Sequence, residues 1–126
     1  MIIESVEEFI ERKKPERQGK EFFVKDITRK GRHKWRVESI TMMPQSNVKE
    51  KVFVIERIKY ICSEGDVNRI HQENYQEYRF CYWIVGKIGN KNGKWTWGQY
   101  SPHIPLEDLP NLIKKAKDEG TICDVR

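Results

Sequence analysis

Alternating apolar and polar residues along the middle of the chain predict a series of β-strands. The runs are rich in β-branched and aromatic residues, as strands are, and most are separated by short turn-like segments. The last two flank a turn that contains Asn92 and Gly93, a dipeptide preferred in hairpins. The predicted strands cover residues 20–29, 33–43, 48–62, 77–88 and 94–100.

One of these runs breaks its own alternation. Trp35 and Val37 share a phase, but the next apolar residues, Ile40 and Met42, belong to the other phase. An extra residue in one strand produces such a shift, so a β-bulge is predicted at residues 38–39.

Helical spacing of apolar residues begins near the N-terminus. Ser5 and Glu8 fit a capping box, in which each side chain accepts a hydrogen bond from the other residue's free backbone N–H. The apolar residues that follow predict a short amphipathic helix over 6–14. Pro15 is expected to stop it, because proline disrupts the preceding helical turn.

A second helix is predicted near the C-terminus, from Leu106 through Ala116. Gly120 is placed to end it and Ile122 to pack back on it, as in a Schellman motif. This helix needs an apolar partner, and the in-phase pair Trp95 and Trp97 is the expected one. The segment 121–125 is predicted to add a short terminal strand.

The order of elements is helix, five strands, helix. Short connections favour antiparallel pairing, so we predict an α+β fold with a mainly antiparallel sheet and both helices packed on one face or end. A length of 126 residues corresponds to one domain, residues 1–126.

The distribution of charge says more about the function of this domain than its length does. The formal net charge is +5, and the excess lies in two blocks that are also rich in aromatic residues. Residues 20–49 contain eight basic and three acidic side chains, and residues 78–101 contain four basic and no acidic ones. Cations beside exposed rings are typical of surfaces that bind single-stranded DNA or RNA.

The candidate nucleic-acid-binding residues come from these two blocks. If the first and last hairpins lie side by side, the residues form a single basic and aromatic sheet surface. The predicted site consists of Arg32, Lys34, Trp35, Arg36, Lys87, Lys91, Lys94, Trp97 and Tyr100. A non-enzymatic nucleic-acid-binding domain is therefore the leading hypothesis.

Two other functions remain open from the sequence. A homodimeric interaction or assembly module would form if an exposed sheet edge paired with a second copy, and a homo-oligomer is expected. A small ribonuclease or toxin-like enzyme would need acid–base groups that His33, His71 and His103 could supply, but no spacing singles them out.

No motif for nucleotide, cofactor or metal binding is present, so neither a catalytic residue, a metal ligand nor a cofactor is predicted. The three cysteines are widely separated and predict free thiols. Glu56, Lys59 and Asp66 are interpreted as charges on an exposed strand face rather than as metal ligands.

A cytoplasmic protein without membrane contact is expected. No apolar run approaches the roughly 20 residues of a membrane-spanning helix. The N-terminal residues also lack the charge pattern of a signal peptide.

Overall fold

The predicted order of elements is present in a computed structural model, which describes residues 4–124. None of the helices in that range is long and apolar enough to cross a membrane. A short 3₁₀ turn, Gly89–Lys91, lies within the last hairpin. The main elements are α1 (Val6–Arg17), β1 (Glu21–Lys25), β2 (Arg32–Pro44), β3 (Lys51–Glu64), β4 (Gln76–Val85), β5 (Trp95–Trp97) and α2 (Asp108–Asp118).

The five strands form one antiparallel meander in the order β1-β2-β3-β4-β5, which confirms the predicted α+β class. The register of β2 against β3 shifts between Val37 and Ser39, where the bulge was predicted, and again between Lys34 and Trp35. The return strand is shorter than predicted, since only residues 95–97 pair with β4.

The sheet curls into a half-barrel, so that its two outer strands approach each other over one face. The guanidinium carbon of Arg79 on β4 lies 4.2 Å from the ring centroid of Phe22 on β1 and 5.3 Å from that of Trp97 on β5. In a flat sheet β1 and β4 would lie about 14 Å apart. Curvature therefore brings residues from both edges together.

The capping box that starts α1 is confirmed. Glu8 N donates to Ser5 Oγ at 3.1 Å, and Ser5 N donates to Glu8 Oε1 at 2.9 Å. The predicted stop at Pro15 is wrong, because α1 continues to Arg17. Proline adopts helical φ and lacks only its own N–H, and the next turn still closes, with Gln18 N bonded to Lys14 O at 3.1 Å. The extra turn carries Arg17 over the sheet.

Helix α1 packs on the face toward which the sheet curls, here called the α1 face. Phe9 is fully buried and stacks on Trp95, with 4.6 Å between ring centroids, and also contacts Trp83 at 5.4 Å. The largest core cluster of the described chain lies below this helix. Its other buried members are Trp35, Val37, Ile40, Met42, Val52, Val54, Ile58, Tyr60 and Cys81.

Helix α2 packs on the opposite face, here called the α2 face. Leu112 and Ala116 contact Phe53, Ile55 and Tyr82. Two predictions are thus wrong: the helices do not share a face, and the Trp95–Trp97 pair lies under α1 rather than α2. Strand pairing explains the position of the two tryptophans. Trp97 lies opposite Trp83, so both indoles project to the face that α1 covers.

The end of α2 is a Schellman motif, as predicted. Thr121 N donates to Ala116 O at 2.9 Å and Gly120 N donates to Lys117 O at 3.1 Å, while Gly120 has a φ of +80° and Ile122 packs on the α2 core. Residues 121–124 form no strand, contrary to prediction, and Val125 lies outside the described residues. Homodimerisation through this segment stays a prediction.

A buried carboxylate joins α1 to the sheet. Glu56 on β3 has no exposed surface and accepts hydrogen bonds from two guanidinium groups. Arg17 donates from Nε at 3.0 Å and from Nη2 at 3.2 Å, and Arg79 donates from Nη2 at 2.6 Å and from Nε at 3.2 Å. The interpretation of Glu56 as an exposed charge is therefore wrong. It occupies the buried phase of β3, between Val54 and Ile58.

Replacing Glu56 with Gln leaves two arginines near the core without their counter-charge. Loss of one member of a buried ion pair typically costs about 3–5 kcal/mol. We expect a decrease of that size in the free energy of unfolding, measured by urea denaturation. The matched control is Glu64→Gln, whose exposed pair with Arg32 is worth below about 1 kcal/mol. Equal effects of the two substitutions would contradict a structural role for the buried carboxylate.

Candidate nucleic-acid interface

The first predicted basic cluster lies on strand β2. Arg32, Lys34 and Arg36 alternate with core residues and project on the α2 face, near the end of the sheet formed by the start of β2 and the end of β3. Trp35 projects on the other face, is only 6% exposed, and packs edge-on against Tyr60. The structure therefore brings together the three cations but places the predicted indole in the core.

These cations have an exposed aromatic neighbour and a further lysine. Phe23 on β1 lies opposite Lys34, and Lys59 on β3 lies opposite Arg36. The guanidinium carbon of Arg32 is 3.6 Å from the centroid of the Phe23 ring, which is a close cation–π stack. We call Phe23, Arg32, Lys34, Arg36 and Lys59 the basic strand surface. Phe23 and Lys59 were not among the residues predicted for the site.

Carboxylates lie beside three of the four cations. Arg32 pairs with Glu64 at 2.9 Å, Lys34 with Glu21 at 3.0 Å and Arg36 with Glu38 at 3.0 Å. The hydrogen bond from Arg36 lowers the pKa of Glu38, and the nearby charges of Arg36 and Lys59 lower it further. Within residues 4–124, Lys59 itself has no ion-pair partner, so the surface keeps an excess of positive charge.

The second predicted basic cluster lies at the other end of the sheet. Lys87, Lys91 and Lys94 belong to the loop between β4 and β5, near the start of β3, whereas Arg32 pairs with the end of β3. A 14-residue strand separates the two positions by about 40 Å. Lys87 pairs with Glu50. The two hairpins do not form one continuous basic surface, because β3 lies between them.

The two remaining predicted residues occupy different environments. Tyr100 follows β5 and is 81% exposed. Trp97 lies on the α1 face and makes an edge-to-face contact with Trp83, with 5.1 Å between ring centroids. Neither residue belongs to the basic strand surface.

Trp97 instead lines a separate opening between the two sheet edges. This cleft, here called the arginine–aromatic pocket, has a volume of about 290 Å³ and is lined by Arg17, Phe22, Arg79, Trp83 and Trp97. Of these five residues, the sequence prediction contains only Trp97. The sequence did contain a signal for the other four residues. Glu56 and Arg79 occupy positions of β3 and β4 where the alternation predicts apolar residues, and buried charges require partners.

Comparison of the chain with family models, with curated proteins and with solved structures gives no match.

Two of the three histidines lie in one aromatic cluster. The ring centroids of His33 and His71 are 6.4 Å apart, whereas His103 is exposed in the segment before α2. His33 Nδ1 lies 2.8 Å from the Tyr60 hydroxyl and Nε2 lies 2.7 Å from Asp26 Oδ1. Asp26 and Tyr60 are buried, so these contacts connect the turn after β1 to β3.

The Asp26 carboxylate also organises two loops through backbone N–H groups. It accepts hydrogen bonds from Thr28, Arg29 and Asn68. The hydrogen bond from His33, followed by these backbone bonds, lowers the pKa of Asp26 from 3.8 to about 2. The ionised form is thus favoured in the folded protein.

This shift predicts a specific loss of stability in acid. The folded-state pKa of Asp26 lies below the unfolded value of 3.8, so its contribution is complete above that pH and is lost as the pH falls toward 2. Urea unfolding of the wild type between pH 5 and pH 2 should show this decrease, and Asp26→Asn should lack that component. Asp66→Asn, which changes an exposed carboxylate, is the control and should keep the wild-type slope. An unchanged slope in Asp26→Asn would contradict the assignment.

Proposed function

We propose that the protein binds single-stranded nucleic acid through the basic strand surface. The observation that carries this proposal is the stacked Arg32–Phe23 pair, with Lys34 and Arg36 further along β2 and Lys59 on β3. It combines in one exposed area the two elements that single strands require, a planar stacking group and cations for phosphate.

The stacking element favours unpaired bases. Bases in single strands stack on aromatic rings and also on arginine guanidinium planes. Phe23 is 39% exposed and holds the guanidinium of Arg32 over its ring. Paired bases in a duplex present no free face to such a group, so the pair gives a preference for single strands.

The cations have the spacing of a strand. Residues two apart on one face repeat about every 6.6 Å, so Arg32, Lys34 and Arg36 form an evenly spaced row. Their carboxylate partners compete with phosphate, but only weakly. The side chains of Arg32 and Glu64 are 52% and 50% exposed, and exposed ion pairs are worth about 0–1 kcal/mol. A phosphate can replace such a partner at low cost.

Binding of a labelled single-stranded oligonucleotide, followed by fluorescence anisotropy, tests the proposal. Affinity should fall steeply with salt, because each phosphate that the protein neutralises contributes about −0.7 to the slope of log K against log salt. Lys59→Gln should weaken binding and make this slope shallower by about 0.7. Lys91→Gln removes an unpaired lysine of the described chain at the other end of the sheet and should change neither quantity.

A separate variant tests how much stacking contributes to the binding free energy. Phe23→Ala removes the ring on which Arg32 rests and should cost about 1–3 kcal/mol of binding free energy, or about 5- to 150-fold in affinity. Ile27→Ala, at a position 98% exposed in the following turn, is the matched control. Absence of binding by micromolar wild-type protein at low salt would refute the proposal. Equal losses in Lys59→Gln and Lys91→Gln would refute the location of the surface.

A further inference from the structure

We propose that the arginine–aromatic pocket is a second binding site, which takes a small aromatic carboxylate. This goes beyond nucleic-acid binding, because the pocket lies on the α1 face and the basic strand surface lies on the α2 face. The site juxtaposes two guanidinium groups and three aromatic side chains in a cleft of about 290 Å³, and one of these side chains, Trp83, carries a buried indole N–H without a partner among the described residues.

The guanidinium groups are held in place and still have free donors. Glu56 fixes Arg17 and Arg79 through their Nε and Nη2 atoms. Within residues 4–124, the Nη1 group of each arginine has no hydrogen-bond partner. The side chains are 11% and 28% exposed, so both remain accessible from the cleft. Two positive charges face one negative charge, which leaves the pocket cationic.

A third donor comes from Trp83. Its Nε1 atom is buried and has no hydrogen-bond partner among the described residues. A buried indole N–H is usually satisfied, and leaving it unpaired costs free energy. The neighbouring Trp95 follows that rule, since its Nε1 donates to Glu4 O at 3.2 Å. Because Trp83 lines the cleft, a ligand that reaches the edge of its indole would supply the missing acceptor.

The side chains that line the pocket offer donors but no acceptor. Both oxygens of Glu56 already accept hydrogen bonds from the arginines, and the other lining side chains are aromatic. Such a site favours an anion that carries only acceptors. Nucleobases with amino groups fit it poorly, because those groups require acceptors. A carboxylate matches the fork of a guanidinium and can accept several N–H groups at once.

The aromatic walls and the volume of the pocket favour a ligand in which the carboxylate is attached to one planar ring. Phe22, Trp83 and Trp97 provide apolar ring surface, which suits a planar ring. The volume of about 290 Å³ lies at the small end of ligand pockets, which typically span about 300–1,000 Å³. One ring bearing one carboxylate fits this volume better than a nucleotide with its sugar and phosphates.

Energetics give an independent reason to expect a ligand. A fully buried carboxylate with two arginines is a weak source of stability, and apolar replacements of similar volume are often at least as stable. The same triad is an efficient way to hold two cationic donors in fixed positions beside aromatic walls. Its geometry therefore suits anion binding in addition to its structural role.

Benzoate and indole-3-carboxylate are suitable probes for the full-length protein. Titration calorimetry and tryptophan fluorescence should show saturable binding at millimolar probe concentrations. Benzamide, which is neutral, and inorganic phosphate, which has no ring, should each bind at least about tenfold more weakly. Arg79→Gln should weaken benzoate binding by about tenfold or more while Arg17 still pairs with Glu56. Arg57→Gln, on the α2 face of neighbouring β3, should not.

Trp83→Phe tests the unpartnered donor. It keeps an aromatic ring in the wall but removes the N–H, so benzoate affinity should fall by about tenfold or more. Trp95→Phe is the matched control. It removes an N–H that is already bonded to Glu4, so it should lower stability and leave benzoate affinity unchanged. Circular dichroism and urea unfolding establish that each variant is folded at the temperature of the titration.

Three results would overturn the proposal. Wild-type protein that binds neither probe would exclude this ligand class. Equal binding of benzoate and benzamide would show an apolar cleft without anion recognition, and equal binding of benzoate and phosphate would show an oxyanion site without ring recognition. Each result leaves oligonucleotide binding by the basic strand surface as a separate question, because Lys59→Gln tests that surface on the other face of the sheet.

Discussion

The buried Glu56 carboxylate is the constraint on which the rest of this structure depends. It lies on the central strand, and a charge at that position cannot remain in the core without counter-charges. Arg17 and Arg79 supply them from the last turn of α1 and from the neighbouring strand. Because Arg17 lies in the last turn of α1, the continuation of this helix through Pro15 places one of the two counter-charges. Arg79 also contacts both curled edges, through Phe22 on β1 and Trp97 on β5.

That curl gives the two faces different chemistry. On the α1 face, the approach of β1 and β5 creates a cleft with fixed cationic donors and aromatic walls. On the α2 face, the far end of the sheet presents exposed strands, where cations alternate with core residues. The same alternation of side chains thus produces an open aromatic cleft on one side and a charged strand surface on the other. The β-bulges preserve this division, because each one corrects the phase of β2 relative to β3.

Local signals in the sequence were sufficient for the order of the main elements and for two of the helix ends, but not for the end of α1, the length of β5 or a strand after α2. The Ser5–Glu8 box and the Gly120 motif were predicted correctly because their hydrogen bonds join residues within six positions of one another. Antiparallel order also followed from short connections. Which helix covers which face could not be predicted, because alternation separates two faces without assigning either to a helix. Trp95 and Trp97 illustrate this: their shared phase was correct and their partner was wrong.

The site was less predictable than the fold, for a related reason. Arg32, Lys34 and Arg36 could be recognised as one cluster because they are close in sequence. Whether they lie beside Lys91 and Lys94 depends on the position of β3 in the sheet, and no local sequence pattern gives that position. The arginine–aromatic pocket brings together residues from four elements between positions 17 and 97. Only the charges of Glu56 and Arg79 at apolar positions of β3 and β4 indicated that such a contact existed.

The lengths of the strands have a consequence for how this protein behaves in concentrated solution. The outermost strands of the meander are its two shortest, with five residues in β1 and three in β5. Exposed strand edges are templates on which chains add to one another and aggregate, and short, charged edges limit that addition. Glu21 and Lys25 place charges at both ends of β1. The long, strongly apolar β3 is enclosed between neighbours on both sides, so the segment most prone to intermolecular pairing is shielded in the folded state.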